Sequence, residues 1–149
     1  MTTELEYDRS LHTRDIASGP FEVTGELIQG FCRAIGEANP LYTDEEAARR
    51  AGYPGLVAPP TLCTLFVRRV HLPDIQLKFG RLRLHAGQMV EALAPVVAGD
   101  TLRAVSRLKE VYPKTGRSGT MVFIVWETVF TNQRGEPVAA VQESFAARE

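Results

Sequence analysis

The sequence predicts an α+β domain in which an antiparallel sheet of about five strands wraps one long apolar helix. Three stretches carry that expectation. Residues 61–70 are apolar nearly all round their first turns, with Leu62, Cys63, Leu65, Phe66, Val67 and Val70. Only Arg68 and Arg69 mark a solvent edge there, the pattern of a helix buried on most sides. From Phe79 onward the chain reads as strand and turn, with β-rich runs at 81–90, 101–112, 120–131 and 137–147. Ala98-Gly99-Asp100, residues 113–119 and Asn132-Gln133-Arg134-Gly135 separate them with turn chemistry. Short links between consecutive strands predict antiparallel pairing. Residues 121–130 are apolar on both parities, as expected of a central strand covered on both faces.

The earlier elements follow in order. Residues 1–18 carry few apolar side chains and are expected to lie along the surface or to be partly disordered. Phe21-Glu22-Val23 is a short strand candidate. Thr24 can cap a helix running to about Ile35, whose Leu27, Ile28, Phe31, Cys32 and Ile35 form one apolar stripe. Pro40 drives Asn39 out of the helical region and ends that pattern. Thr43 with Glu46 reads as a capping box for a short helix over 44–50, closing near Gly52. Pro59-Pro60 opens the apolar helix, since proline is tolerated at a first helical position. A sheet curled round one such helix is the hot-dog architecture. Its exposed edge needs covering or pairing, so a dimer is expected.

The chain of 149 residues is of single-domain size, so one domain is expected over 1–149. Its net charge of −1 implies no bulk attraction to nucleic acid or to an anionic membrane. No stretch approaches the roughly 18 apolar residues of a membrane span. The charged opening lacks the apolar core of a signal peptide. Both cysteines, Cys32 and Cys63, fall in apolar helical patterns, which favours buried free thiols in a reducing compartment over a disulfide or metal site. A cytoplasmic location is the expectation.

The span 36–44, Gly-Glu-Ala-Asn-Pro-Leu-Tyr-Thr-Asp, resembles a motif of the MaoC-like hydratases and dehydratases, whose usual form is Gly-Asp-x-Asn-Pro-Ile/Leu-His-x-Asp. Leu56-Val57-Ala58-Pro59-Pro60-Thr61 stands where that family enters its central helix. Leu84-His85-Ala86-Gly87-Gln88 and Val97-Ala98-Gly99-Asp100-Thr101-Leu102 resemble the strand and turn that follow. The likeness covers about residues 20–147 and is nearest to the branch called MaoC N-terminal or FAS1-like dehydratase domains. It implies the hot-dog fold and reversible addition of water across a 2-enoyl thioester, giving an (R)-3-hydroxyacyl thioester. It implies no metal or redox cofactor, the acyl group being carried on coenzyme A or acyl carrier protein. It also places substrate contacts at Asn39, Pro60, Thr61, Leu62 and Phe66.

Three positions depart from that pattern. Glu37 stands for the catalytic Asp and Tyr42 for the catalytic His. A phenol with an ordinary pKa of ~10 is a poor base at neutral pH. Pro59-Pro60 replaces the usual His-Gly and supplies no N–H, leaving the Thr61 amide as the donor for a thioester carbonyl. Each residue also has a structural role open to it. Tyr42 can pack its ring, Glu37 can be a loop carboxylate or a cap, Asn39 can stabilise its own turn, Asp44 can favour a helix start, and Leu62 and Phe66 can be core. His85 is an alternative base, on a strand face shared with Arg81 and Arg83. Lys78, Arg81, Arg83 and Arg117 suit coenzyme A phosphates or a solvated face equally. Three functions follow: a degenerate subunit shaping the acyl pocket for a catalytic hot-dog partner; a self-sufficient homodimeric enzyme using Glu37, Tyr42 or His85; or an acyl-thioester binding module or thioesterase.

Overall fold

The computed structural model describes residues 4–149. Five strands form one sheet: β1 (Ile16–Glu22), β2 (Leu82–Ala92), β3 (Thr101–Gly116), β4 (Gly119–Thr131) and β5 (Pro137–Arg148). Their order is β1-β3-β4-β5-β2, with every neighbouring pair antiparallel. The helices α1 (Gly25–Ile35), α2 (Pro40–Thr43), α3 (Glu45–Arg50) and α4 (Cys63–Val67) all precede β2. The α+β architecture with a five-stranded antiparallel sheet is as expected.

The pairing of β2 is not the one short links suggest. Its partner is β5, not β3. The intervening segment is held instead by the loop that leads into α4. Val57 bridges Val97, Ala58 donates to the Val96 carbonyl at 2.7 Å, and Ala98 donates to Leu56 at 2.8 Å. Main-chain hydrogen bonding of a buried loop thus outweighs the hairpin.

β4 is the central strand. Val122, Ile124, Trp126 and Phe130 are buried on its inner face, while Phe123 and Val129 on the outer face are half-buried. Two apolar clusters lie along this inner face. At one end Phe21, Phe66 and Phe130 pack together, with Phe21 and Phe66 stacked at 5.1 Å between ring centroids. Such aromatic pairs stabilise by about 0.5–1.5 kcal/mol beyond area burial. At the other end Leu11, Ile75 and Leu77 cover Leu108, Val122 and Trp126. Between the clusters Ser106 and Thr128 satisfy each other through a buried hydroxyl pair at 2.7 Å.

Three local expectations change. The polar lead expected over 1–18, of which residues 1–3 lie outside the described residues, runs along the surface from residue 4 with more structure than foreseen: Arg9–Thr13 forms a 3-10 turn that buries Leu11, and β1 begins at Ile16. His12 pins that turn, with Nδ1 3.1 Å from the Leu108 carbonyl and Nε2 2.7 Å from the Tyr7 hydroxyl. One apolar side chain with a hydrogen-bonded anchor is enough to seat a polar segment. Secondly, Thr43 does not cap α3; its hydroxyl donates to the Asn39 carbonyl. Asp44 is the N-cap, accepting from the amides of Glu46 and Ala47. A carboxylate so placed also meets the positive helix end. Thirdly, the helix the sheet wraps is short. A 3-10 turn over Pro60–Leu62 leads into the five residues of α4. Its end tightens through bonds from Arg69 to Phe66 and from Val70 to Val67, which close the helix before Val70.

Candidate functional site

Pro40 holds Asn39 extended, at φ −60° and ψ 126°. In that conformation the Asn39 side chain accepts from the Leu41 amide at 3.0 Å and caps α2. Glu37 turns back on the same loop, where its Oε1 accepts from the Asn39 amide at 3.0 Å. The Val57 amide then donates to the Leu41 carbonyl at 3.0 Å, fastening α2 to the helix-entry loop. This chain of bonds sets the Tyr42 ring, half-buried, against the first apolar cluster.

Tyr42 opens onto a cavity of about 330 Å³. Pro59, Pro60, Leu62 and Cys63 form one wall, and Ala92–Val96 with Val138 and Ala139 the other. The lining side chains are apolar except for the hydroxyls of Tyr42 and Tyr53 and the thiol of Cys63. Burial pushes the Cys63 thiol up to about 12, so it stays protonated there. The Cys32 thiol, behind the loop, is also raised, by burial first and then by the Glu37 carboxylate. Among the described residues no protein group hydrogen-bonds the Tyr42 hydroxyl. The phenol therefore meets the cavity without a base or orienting partner.

The structure thus brings together Tyr42, Pro60 and Leu62. Glu37 and Asn39 stand behind them as the frame of the loop and do not line the cavity. Thr61 is exposed and outside the lining, and the Leu62 amide is spent on the Pro59 carbonyl at 2.9 Å. Phe66 is 1% exposed and belongs to the core.

His85 lies elsewhere on the same concave face, in a second cavity of about 660 Å³. Phe31, Leu65, Val70 and Phe145 give its apolar walls; Thr64, Arg68, Gln88 and Glu143 are its other polar neighbours. His85 Nε2 is 3.0 Å from Glu143 Oε2, and the ring meets Phe145 edge-on at 5.4 Å. Glu143 is only 14% exposed. Neither Arg81 nor Arg83 shares this environment: Arg83 donates to the carbonyls of Phe79 and Leu77 and so braces the approach to β2.

Glu143 was not singled out by its sequence. A signal was present, because it sits on β5 between Val141 and Phe145 at the parity that faces the core. A charge on an otherwise apolar strand face asks for a partner. The partner, His85, is 58 residues away.

Among the described residues no group of three or more His, Cys, Asp or Glu could hold a metal ion. Nor is any described helix long and apolar enough to cross a membrane, which says nothing of a β-barrel.

Residues 10–141 match the family described as the FAS1-like, dehydratase domain region. A UPF0336 protein of Saccharopolyspora erythraea is 33% identical over 97% of this chain and 93% of its own length. The truncated HadBC (3R-hydroxyacyl-ACP dehydratase) complex of Mycobacterium tuberculosis contains a similar chain. The two are 27% identical with a TM-score of 0.77, over 90% of this chain and 95% of that one. A MaoC-like dehydratase from Rhodospirillum rubrum shares the fold at 23% identity and a TM-score of 0.66, over 90% of each chain. With its Asn-Pro loop, its apolar helix and its five-stranded sheet, the chain belongs to the FAS1-like dehydratase-region family of MaoC-like hot-dog proteins.

Proposed function

We propose that this chain is the pocket-forming subunit of an (R)-specific enoyl-thioester hydratase or 3-hydroxyacyl-thioester dehydratase, completed by a second hot-dog chain that carries the Asp and His. One observation carries the reading. The loop that presents those two groups in the family is intact here, yet Glu37 is spent on the Asn39 amide and the His position is a phenol without a partner. Proton exchange near neutral pH needs a group better matched than that. What remains is an apolar cavity within the usual range for small ligands, about 300–1,000 Å³, suited to an acyl group on coenzyme A or acyl carrier protein. The reaction as proposed uses no metal or redox cofactor.

The two edges of the sheet support a partner at β2. β1 is short, and Gly19-Pro20 interrupts its register. β2 runs for eleven residues and exposes Leu82, Leu84 and Met89 on the outer face. A long apolar edge invites another strand. The similar chain of known structure occurs in a complex of two hot-dog chains, HadB and HadC. A homodimer would cover the same edge but would supply no imidazole at the Tyr42 position.

The test is hydration of crotonyl-CoA by the purified chain, alone and with a hot-dog chain bearing Asp-x-Asn-Pro-x-His. Activity should arise only in the mixture. The His85–Glu143 contact favours one second reading, in which the chain is a self-sufficient enzyme with His85 as base and Glu143 as its orienting group. Turnover by the chain alone, abolished by His85→Ala, would establish that reading instead.

A further inference from the structure

The His85 cavity is poorly made for a plain hydrocarbon. Glu143 Oε2 receives His85 Nε2 at 3.0 Å and Gln88 Nε2 at 3.4 Å. These bonds use the His85 Nε2 proton and one of the two Gln88 amide protons. Among the described residues Glu143 Oε1, His85 Nδ1 and Gln88 Oε1 have no protein partner, and all three are acceptors when His85 is neutral. The Thr64 hydroxyl donates to the Thr61 carbonyl at 2.8 Å, so it too meets the cavity as an acceptor. Arg68 is the one cation in the lining, and it is exposed. The remaining walls, Phe31, Leu65, Val70 and Phe145, are apolar. An apolar chain laid over such a floor would strip water from a carboxylate and return nothing. A chain ending in a hydrogen-bond donor would replace that water.

This floor also stands apart from the Tyr42 cavity. Both line the inner face of the β2–β5 pair, in register rows Ala92–Ala139 and Gln88–Glu143. The rows are four residues apart along β5, on the order of 13 Å at strand rise. The two sets of groups therefore cannot act on the same atoms. Pairing at the β2 edge would employ main-chain groups and the outer-face side chains, leaving the inner-face lining available.

We infer that the His85–Glu143–Gln88 cavity is a subsite for a hydroxyl group on the far end of an apolar ligand. The inference rests on the reading of the Tyr42 cavity as the place of the thioester. It adds to that reading a substrate class: acyl chains bearing a hydroxyl roughly ten carbons from the carbonyl. His85 and Glu143 accept from that hydroxyl, and the walls hold the methylenes before it. They are specificity-determining residues, distant from the reacting carbons.

Calorimetric titration of the chain, alone and with its partner, tests this with butyryl-CoA, dodecanoyl-CoA and 12-hydroxydodecanoyl-CoA. The hydroxylated chain should bind about tenfold more tightly than dodecanoyl-CoA. Glu143→Gln should remove that preference while leaving butyryl-CoA affinity and the thermal midpoint as they were. A preference that is absent, or that survives in Glu143→Gln, overturns the inference. A carrier-free arm separates it from the reading beneath it: 1-octanol, but not its O-methyl ether, should shift the His85 ring resonances. Failure of butyryl-CoA to bind, with that shift intact, refutes the thioester placement and leaves a hydroxyl site standing. Loss of the shift refutes the hydroxyl site itself. If His85→Ala instead abolishes hydration of crotonyl-CoA, 2-dodecenoyl-CoA and 12-hydroxy-2-dodecenoyl-CoA equally, His85 is the base and the subsite is wrong.

Discussion

Beside Tyr42 the chain keeps a hydrogen-bonded frame, and the cavity lining holds phenols but no imidazole or carboxylate. Beside His85 it keeps an imidazole and a carboxylate in contact, with no motif around them. The first region is set by main chain: Asn39 on the Leu41 amide, Glu37 on the Asn39 amide, and Val57 on the Leu41 carbonyl. The second is set by strand register, which brings His85 and Glu143 onto one face from positions 58 residues apart. A motif therefore preserves a shape more faithfully than it preserves a chemistry.

That contrast can be broken at several points. The largest effect is expected where the two regions share support. Phe66 projects from α4 into the aromatic cluster behind both cavities, and Phe66→Ala should cost about 3–5 kcal/mol in urea unfolding. A loss below about 1 kcal/mol would mean the helix is not the common wall.

The next effect belongs to the Tyr42 side alone. Cys63 has its thiol pKa raised by burial from 9.0 to about 12. The unfolded chain then loses this proton before the folded one does. Stability from this group is complete below pH 9 and is lost as pH rises toward 12. Three pKa units correspond to about 4 kcal/mol. Cys63→Ala should flatten that part of the pH dependence, measured by urea unfolding at pH 8, 10 and 11. An unchanged slope would contradict the burial.

Removing the cap that frames the loop should cost less. Asn39→Ala is expected to lower stability by about 1 kcal/mol. It should weaken butyryl-CoA binding more than it perturbs the His85 ring resonances. Equal effects on both would show one coupled site rather than two. Smallest of all, Tyr42→Phe should change unfolding free energy by less than about 0.5 kcal/mol, because its hydroxyl has no protein partner among the described residues. A loss above 1 kcal/mol would reveal a partner for the phenol.

Much of this architecture was legible in the sequence because local rules decide it. Thr24 does cap α1, through the Leu27 amide, and Gly36 ends that helix in the left-handed region at φ 72°. The four late strands fall within a few residues of their expected bounds, since alternation and turn chemistry are local signals. The position of β2 beside β5 was not legible, because it depends on hydrogen bonds between the 56–58 and 96–98 loops. Of β1 only the end, Phe21 and Glu22, was legible, and its start and the turn before it were not, for a similar reason: Leu11 clusters with Ile75, Leu77 and Leu108, and Ile16 pairs with Ser106, all more than 60 positions away. Of the site, the loop and helix entry were readable as motif, whereas which side chains reach the cavity was not. Thr61 and Phe66 fall on the wrong sides of a 3-10 turn and a short helix, and Glu143 has meaning only through its cross-strand neighbour.

The most direct measurement is the hydration rate of crotonyl-CoA by the pure chain against the rate after adding a hot-dog chain that carries Asp-x-Asn-Pro-x-His. No rate above background is expected for the chain alone, and sustained turnover in the mixture. That turnover should vanish when the Asp or His of the added chain is replaced, and should survive Glu37→Gln in this one. Sustained turnover by this chain alone would contradict that expectation.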